Sequence, residues 1–185
     1  MDLQQVILVL AEGYEETEAI GTADVLKRIG FKVILAGLNS EIVTSSAGTR
    51  IVTDCLFKDA DLDAAAGLIL PGGLPGSTNL RDSDEVIRAL QYMDQKGKIT
   101  AAICAAPIVL ERAGLTKNRT VTGYPGCDQG IEGLSFSGNR TECDGTVVTG
   151  KGPGVSFEFA AAVAKALGAS DEKINAVMNG MFVLR

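Results

Sequence analysis

The chain has 185 residues, 46% of them hydrophobic and 22% charged, which is enough to bury a full core in one domain and too apolar for a disordered segment. Its net charge of −6 repels a phosphate backbone and argues against nucleic acid as a partner. It contains no histidine, which excludes Ser-His and Cys-His dyads and removes the commonest zinc ligand, so any acid–base work falls to a carboxylate, tyrosine, lysine or thiol.

The elements alternate. VILVLA (6–11) is a short apolar run of the kind that forms a buried strand, and EETEAIGTADVLKRIG (15–30) carries helical spacing that stops at Gly30. FKVILAG (31–37) reads as a second buried strand, and 41–54 as two short strands about a turn at Ala47-Gly48. GLILPGG (67–73) is a strand ending in a glycine turn, and 83–97 a helix with Ser83 as N-cap. KITAAIC (98–104) is a strand, AAPIVLERAG (105–114) a helix, and two further helices are expected over 154–168 and 171–179. This alternation predicts a mainly parallel sheet with helices on both faces, whose site lies beyond the carboxyl ends of the strands near a topological switch point. AEGYEETE, LPGGLPGS and AICAAP all fall at such ends.

Cys104 stands out among the four cysteines, which form no CxxC pair. Ala102 and Ala106 flank it at minus and plus two, as in a nucleophile elbow, and Pro107 suits the first turn of the next helix. A thiol there faces a helix N-terminus, which favours thiolate; a buried structural cysteine fits the same local pattern. The acidic cluster Glu12, Glu15, Glu16 and Glu18 is the source of a proton partner, although acidic residues also suit a helix start. LPGG can offer backbone N–H donors to an oxyanion. GTVVTGK (145–151) is nearly a phosphate loop, but Gly152 stands where its Ser or Thr belongs.

Together LAEGYEETEAIGTADVLKRIGFKV, LILPGG, AAICAAP and GKGPGVSFEFA resemble the ThiJ/PfpI superfamily, nearest its DJ-one branch, from about residue 5 onward and in the family's order. The resemblance implies a flavodoxin-like sandwich over a single domain spanning 1–185, usually as a homodimer. It implies a reactive Cys104, a partly buried Glu18 hydrogen-bonded to it with Glu15 and Glu16 as neighbours, and an oxyanion pocket from Gly72, Gly73 and Ala105. Arg28 and Arg50 align with basic residues near the family's dimer interface. Two departures stand out: Ala105 replaces the histidine of the protease-like branch, which argues against proteolysis, and Tyr124 stands where some relatives have histidine.

The expected function is that of a cofactor-free, metal-free, cysteine-dependent glyoxalase or deglycase acting on 2-oxoaldehydes or their adducts. A redox sensor or chaperone with an oxidisable Cys104 is the second reading, and a non-covalent flavodoxin-like binding module the third. The opening residues lack a basic segment and no apolar run approaches the roughly 20 residues of a membrane span, so the expectation is a cytoplasmic protein with no membrane partner.

Overall fold

The computed structural model describes residues 4–183. Strands β1 (Gln5–Leu10), β2 (Lys32–Gly37), β5 (Cys55–Leu56), β6 (Ala65–Leu70), β7 (Ile99–Ile103), β8 (Thr141–Asp144) and β9 (Val147–Gly150) form one seven-stranded sheet in the order β5-β2-β1-β6-β7-β9-β8. All neighbours in it are parallel except the β8–β9 pair. A separate antiparallel hairpin joins β3 (Ile42–Thr44) to β4 (Arg50–Val52). The expected sandwich is therefore present.

The central strands are apolar on both sides because helices cover both faces. Val6, Leu8 and Leu10 of β1 point into a core shared with α1 (Glu16–Ile29), α5 (Ser156–Ala166) and α6 (Asp171–Gly180). Ile7 and Val9 point the other way, against α2 (Gly76–Asp82), α3 (Asp84–Gln95) and α4 (Pro107–Arg112). Sequence order runs outward from β1 in both directions, to β2 on one side and β6 on the other. The β1–β6 boundary is thus the switch point, and the loops leaving its carboxyl end pack against each other there, with the Gly76 N–H donating to the Gly13 carbonyl at 3.2 Å.

Most expected elements stand within one to three residues of their predicted bounds. The Ser83 hydroxyl accepts the Val86 N–H and caps α3, while Gly30 adopts a left-handed conformation and closes α1. The near-phosphate loop is a strand, since Val147–Gly150 is β9. One helix is not signalled in the sequence. GSTNLRD forms α2 behind Pro75, with no side-chain cap and only Gly76, Ser77 and Leu80 buried, so neither a start signal nor a long apolar stripe betrays it.

Candidate active site

Three chain segments meet at the switch point. The first is the start of α1. Glu15 sits at its N-cap, where its Oε2 accepts the Glu18 N–H at 2.6 Å, and its own N–H donates to the Gly72 carbonyl at 2.9 Å. This places Glu18 on the buried stripe of α1 that continues through Thr22, Val25 and Ile29, and Glu18 is wholly inaccessible to solvent. Glu16 instead faces the hairpin, where its Oε1 accepts the Thr49 hydroxyl at 3.3 Å.

The second segment is the glycine turn after β6. The Gly72 N–H donates to Glu18 Oε2 at 2.7 Å. A Cβ at Gly72 would lie 2.6 Å from Cys104 Cβ and 2.6 Å from Glu18 Oε2, so glycine is required for thiol and carboxyl to come together. Gly73 has φ +91°, and a Cβ there would meet the Glu15 amide nitrogen at 2.5 Å.

The third is the turn after β7. Cys104 has φ +64°, a left-handed conformation that a side chain rarely adopts and that marks a strained elbow. Its N–H donates to the Gly150 carbonyl at 2.9 Å, and its carbonyl accepts the Tyr124 N–H at 2.7 Å, so the elbow is clamped from both sides. Pro107 opens α4 as expected. The sulfur is hydrogen-bonded to the Glu18 carboxyl and receives the backbone N–H groups of Ala105 and Gly73. Cys104 is only 8% exposed.

The electrostatics follow from burial. Desolvation lifts the Glu18 carboxyl from 4.5 to about 7, against the lowering effect of its hydrogen bonds to Cys104 and the Gly72 N–H. Its Oε1 has no hydrogen-bond partner among the described residues, which further disfavours the ionised form. Desolvation also pushes the Cys104 thiol well above its ordinary range, and an ionised Glu18 pushes it further; the Ala105 and Gly73 N–H groups oppose both. Burial beside a carboxylate thus opposes the helix end, which favours thiolate. The two groups share one site and do not both carry charge. With the proton on Glu18 the opposing carboxylate charge vanishes, and the sulfur faces two backbone donors.

The other predicted residues fall into place unevenly. Gly73 and Ala105 serve the sulfur, whereas the Gly72 N–H serves Glu18 rather than an oxyanion pocket. The Tyr124 side chain is half exposed and contributes through its backbone N–H. With Pro125, Lys151 and the Gly152–Val155 turn it lines a cleft of about 530 Å³ beside the elbow. Arg28 lies ten residues along α1 from Glu18, about 15 Å away along the helix axis, where it pairs with Asp24 at 2.8 Å. Arg50 lies on the exposed hairpin strand β4. Neither arginine is part of the cluster formed within this chain. The clamp by Gly150 and Tyr124 has no signal in the sequence, for it depends on long-range backbone contacts. All four cysteines are free. Among the described residues no group of three or more Cys, Asp or Glu is placed to hold a metal ion, and no helix is long and apolar enough to cross a membrane.

The DJ-1/PfpI family model matches residues 4–166. The chain belongs to the DJ-1/PfpI family. It is 38% identical to protein dj-1beta of Drosophila melanogaster over 180 residues, covering 96% of each chain. It is 35% identical to the glutathione-independent glyoxalase DJR-1.2 of Caenorhabditis elegans over 173 residues, 93% of this chain and 92% of the relative. The crystal structure of Drosophila melanogaster DJ-1beta superposes over 100% of both chains with a TM-score of 0.93 at 36% identity. Membership of this family and the match to that structure establish the flavodoxin-like fold expected from the motifs.

Proposed function

We propose that this DJ-1/PfpI protein is a cysteine-dependent glyoxalase or deglycase that converts 2-oxoaldehydes, or their adducts, to hydroxy acids without glutathione. The observation that carries this reading is the buried pairing of the Cys104 thiol with a Glu18 carboxyl whose proton affinity is lifted to about 7, a value suited to moving protons near neutral pH. The glyoxalase name of the Caenorhabditis elegans relative supports the reaction class.

On methylglyoxal the steps balance as follows. Cys104 sulfur attacks the aldehyde carbon, a C–S bond forms, and the carbonyl oxygen takes up the proton that the thiol gave to Glu18, producing a hemithioacetal. Glu18 then removes the hydrogen on that carbon as a proton and returns it to the neighbouring carbonyl carbon, while the proton of the hemithioacetal hydroxyl passes to the ketone oxygen, so that the ketone becomes the hydroxyl group and the former aldehyde carbon a thioester. Water cleaves the thioester, releasing lactate and restoring the thiol. The Gly73 and Ala105 N–H groups sit where they can steady the oxyanion of the first and last steps. Ala105 cannot act as an acid or base, so proteolysis is not proposed.

The working unit is a homodimer in a cytoplasmic setting. The exposed apolar side chains of Ile20 and Phe157 on α1 and α5, and of Ile42 and Val52 on the hairpin, are what such an interface would cover. The same donors at sulfur would hold sulfinate oxygens after peroxide oxidation, which supports a sensor as the second reading. Turnover separates the two. Lactate formed from methylglyoxal without glutathione, by wild type but not by Cys104→Ser or Glu18→Gln, supports the enzyme; equal background rates in all three defeat it.

A further inference from the structure

The carboxyl ends of β1 and β2 frame a second cleft, of about 380 Å³. Cys104 follows β7, which lies on the opposite side of β1, so this cleft is separate from the thiol site. Its floor is apolar and buried, made by Leu10, Ala11, Leu38 and Val43. Its rim is polar and held in place by the surrounding backbone. Both Glu12 carboxylate oxygens accept the Thr44 N–H at 3.2 Å, and Asn79 Nδ2 donates to the Glu12 carbonyl at 2.9 Å. The Ser40 and Ser83 hydroxyls accept the N–H groups of Ile42 and Val86, at 3.2 and 3.4 Å.

The charges on the rim are acidic. Asp82 is paired with Arg81 at 2.8 Å, which offsets it. Glu12 takes part in no ion pair among the described residues. An amide donor satisfies its hydrogen-bonding capacity only in part and leaves its charge in place. A preformed apolar floor under one uncompensated carboxylate is complementary to an apolar stem ending in a positive group, and it disfavours anions.

We propose that this cleft is a binding site for a small organic cation, an ammonium group on a short aliphatic stem. The stem lies on Leu10, Ala11, Leu38 and Val43, and the ammonium group meets Glu12 and the rim acceptors.

The test is titration of the intact protein with pentylamine, followed by amide NMR, with pentanol as the uncharged comparison. Saturable shifts centred on Leu38, Asn39, Ser40 and Val43 are expected, with pentanol about tenfold weaker or worse, the loss that one charge-assisted contact of roughly 1.5 kcal/mol implies. Glu12→Gln should weaken pentylamine by a similar factor, since glutamine can still accept the Thr44 N–H and keep the hairpin in place. No saturable shift at these residues, equal binding of the two probes, or shifts centred elsewhere would overturn the proposal. The comparison of probes needs only the wild type, so it decides the matter even if Glu12→Gln disturbs the hairpin.

Discussion

Replacing Glu18 with glutamine should make the protein more stable at alkaline pH and leave it nearly unchanged in acid. An unfolded chain ionises this carboxyl near 4.5, whereas burial holds it at about 7 in the fold. The folded state therefore binds the proton more tightly than the unfolded state. Stability from this group is complete below about 4.5 and is lost as pH rises through about 7, the reverse of a salt-bridged carboxylate. With about 1.4 kcal/mol for each tenfold step in proton affinity, the loss amounts to about 3 kcal/mol. No allowance for solvent screening is needed, because Glu18 is wholly buried. A glutamine at this position has no charge to bury, and its amide oxygen can still accept the Gly72 N–H. For a chain of this size, about 3 kcal/mol corresponds to roughly 6–12 °C in melting temperature. Thermal melts of both proteins at about pH 4.5 and about pH 8.5, on either side of the titration, would read the effect directly. The gap between variant and wild type should open toward alkaline pH in favour of the variant. A gap that is the same at both pH values, or that favours the wild type at the alkaline one, would refute the reasoning that Glu18 is desolvated.

Gly72→Ala should lower turnover of methylglyoxal at least about tenfold and cost about 1–3 kcal/mol in urea denaturation, because its Cβ would fall 2.6 Å from Cys104 Cβ and 2.9 Å from the Ile103 carbonyl oxygen, which the backbone fixes, and 2.6 Å from Glu18 Oε2, which would be pushed out of the pair. Tyr124→Phe should leave kcat/KM almost unchanged, since the half-exposed ring keeps its place and the backbone N–H to the Cys104 carbonyl is retained; a large drop would give the hydroxyl a chemical role. Ser83→Ala should destabilise the fold by about 1 kcal/mol through loss of the α3 cap, with no effect on Cys104 alkylation rates.

Much of the fold is written locally. The apolar runs of β1, β2, β6 and β7 match a sheet covered on both faces, and small residues around Cys104 announce the elbow. Resemblance singles out Glu18 from four glutamates, whereas spacing does not, since the 3–4 pattern through positions 18, 22, 25 and 29 also runs back to 15, and only the fold sets Glu15 at the N-cap and Glu18 inside. The features that stay hidden are long-range. The clamp on Cys104 comes from Gly150 and from the Tyr124 backbone, and the Glu12 cleft needs a hairpin folded onto the end of β1. The state of the thiol is illegible for the same reason, because a local helix end says nothing of the carboxyl that tertiary packing buries beside it.

In the proposed mechanism Cys104 forms the covalent bond and Glu18 moves the proton. Acid-quenching the wild type, Glu18→Gln and Cys104→Ser during reaction with methylglyoxal, followed by mass spectrometry of the cysteine-bearing peptide, tests this most directly. The expected result is an adduct of one methylglyoxal on Cys104 in the wild type, much less on Glu18→Gln, where no carboxyl takes the thiol proton, and none on Cys104→Ser. Lactate production without any Cys104 adduct, or an adduct confined to lysine and arginine side chains, would contradict it.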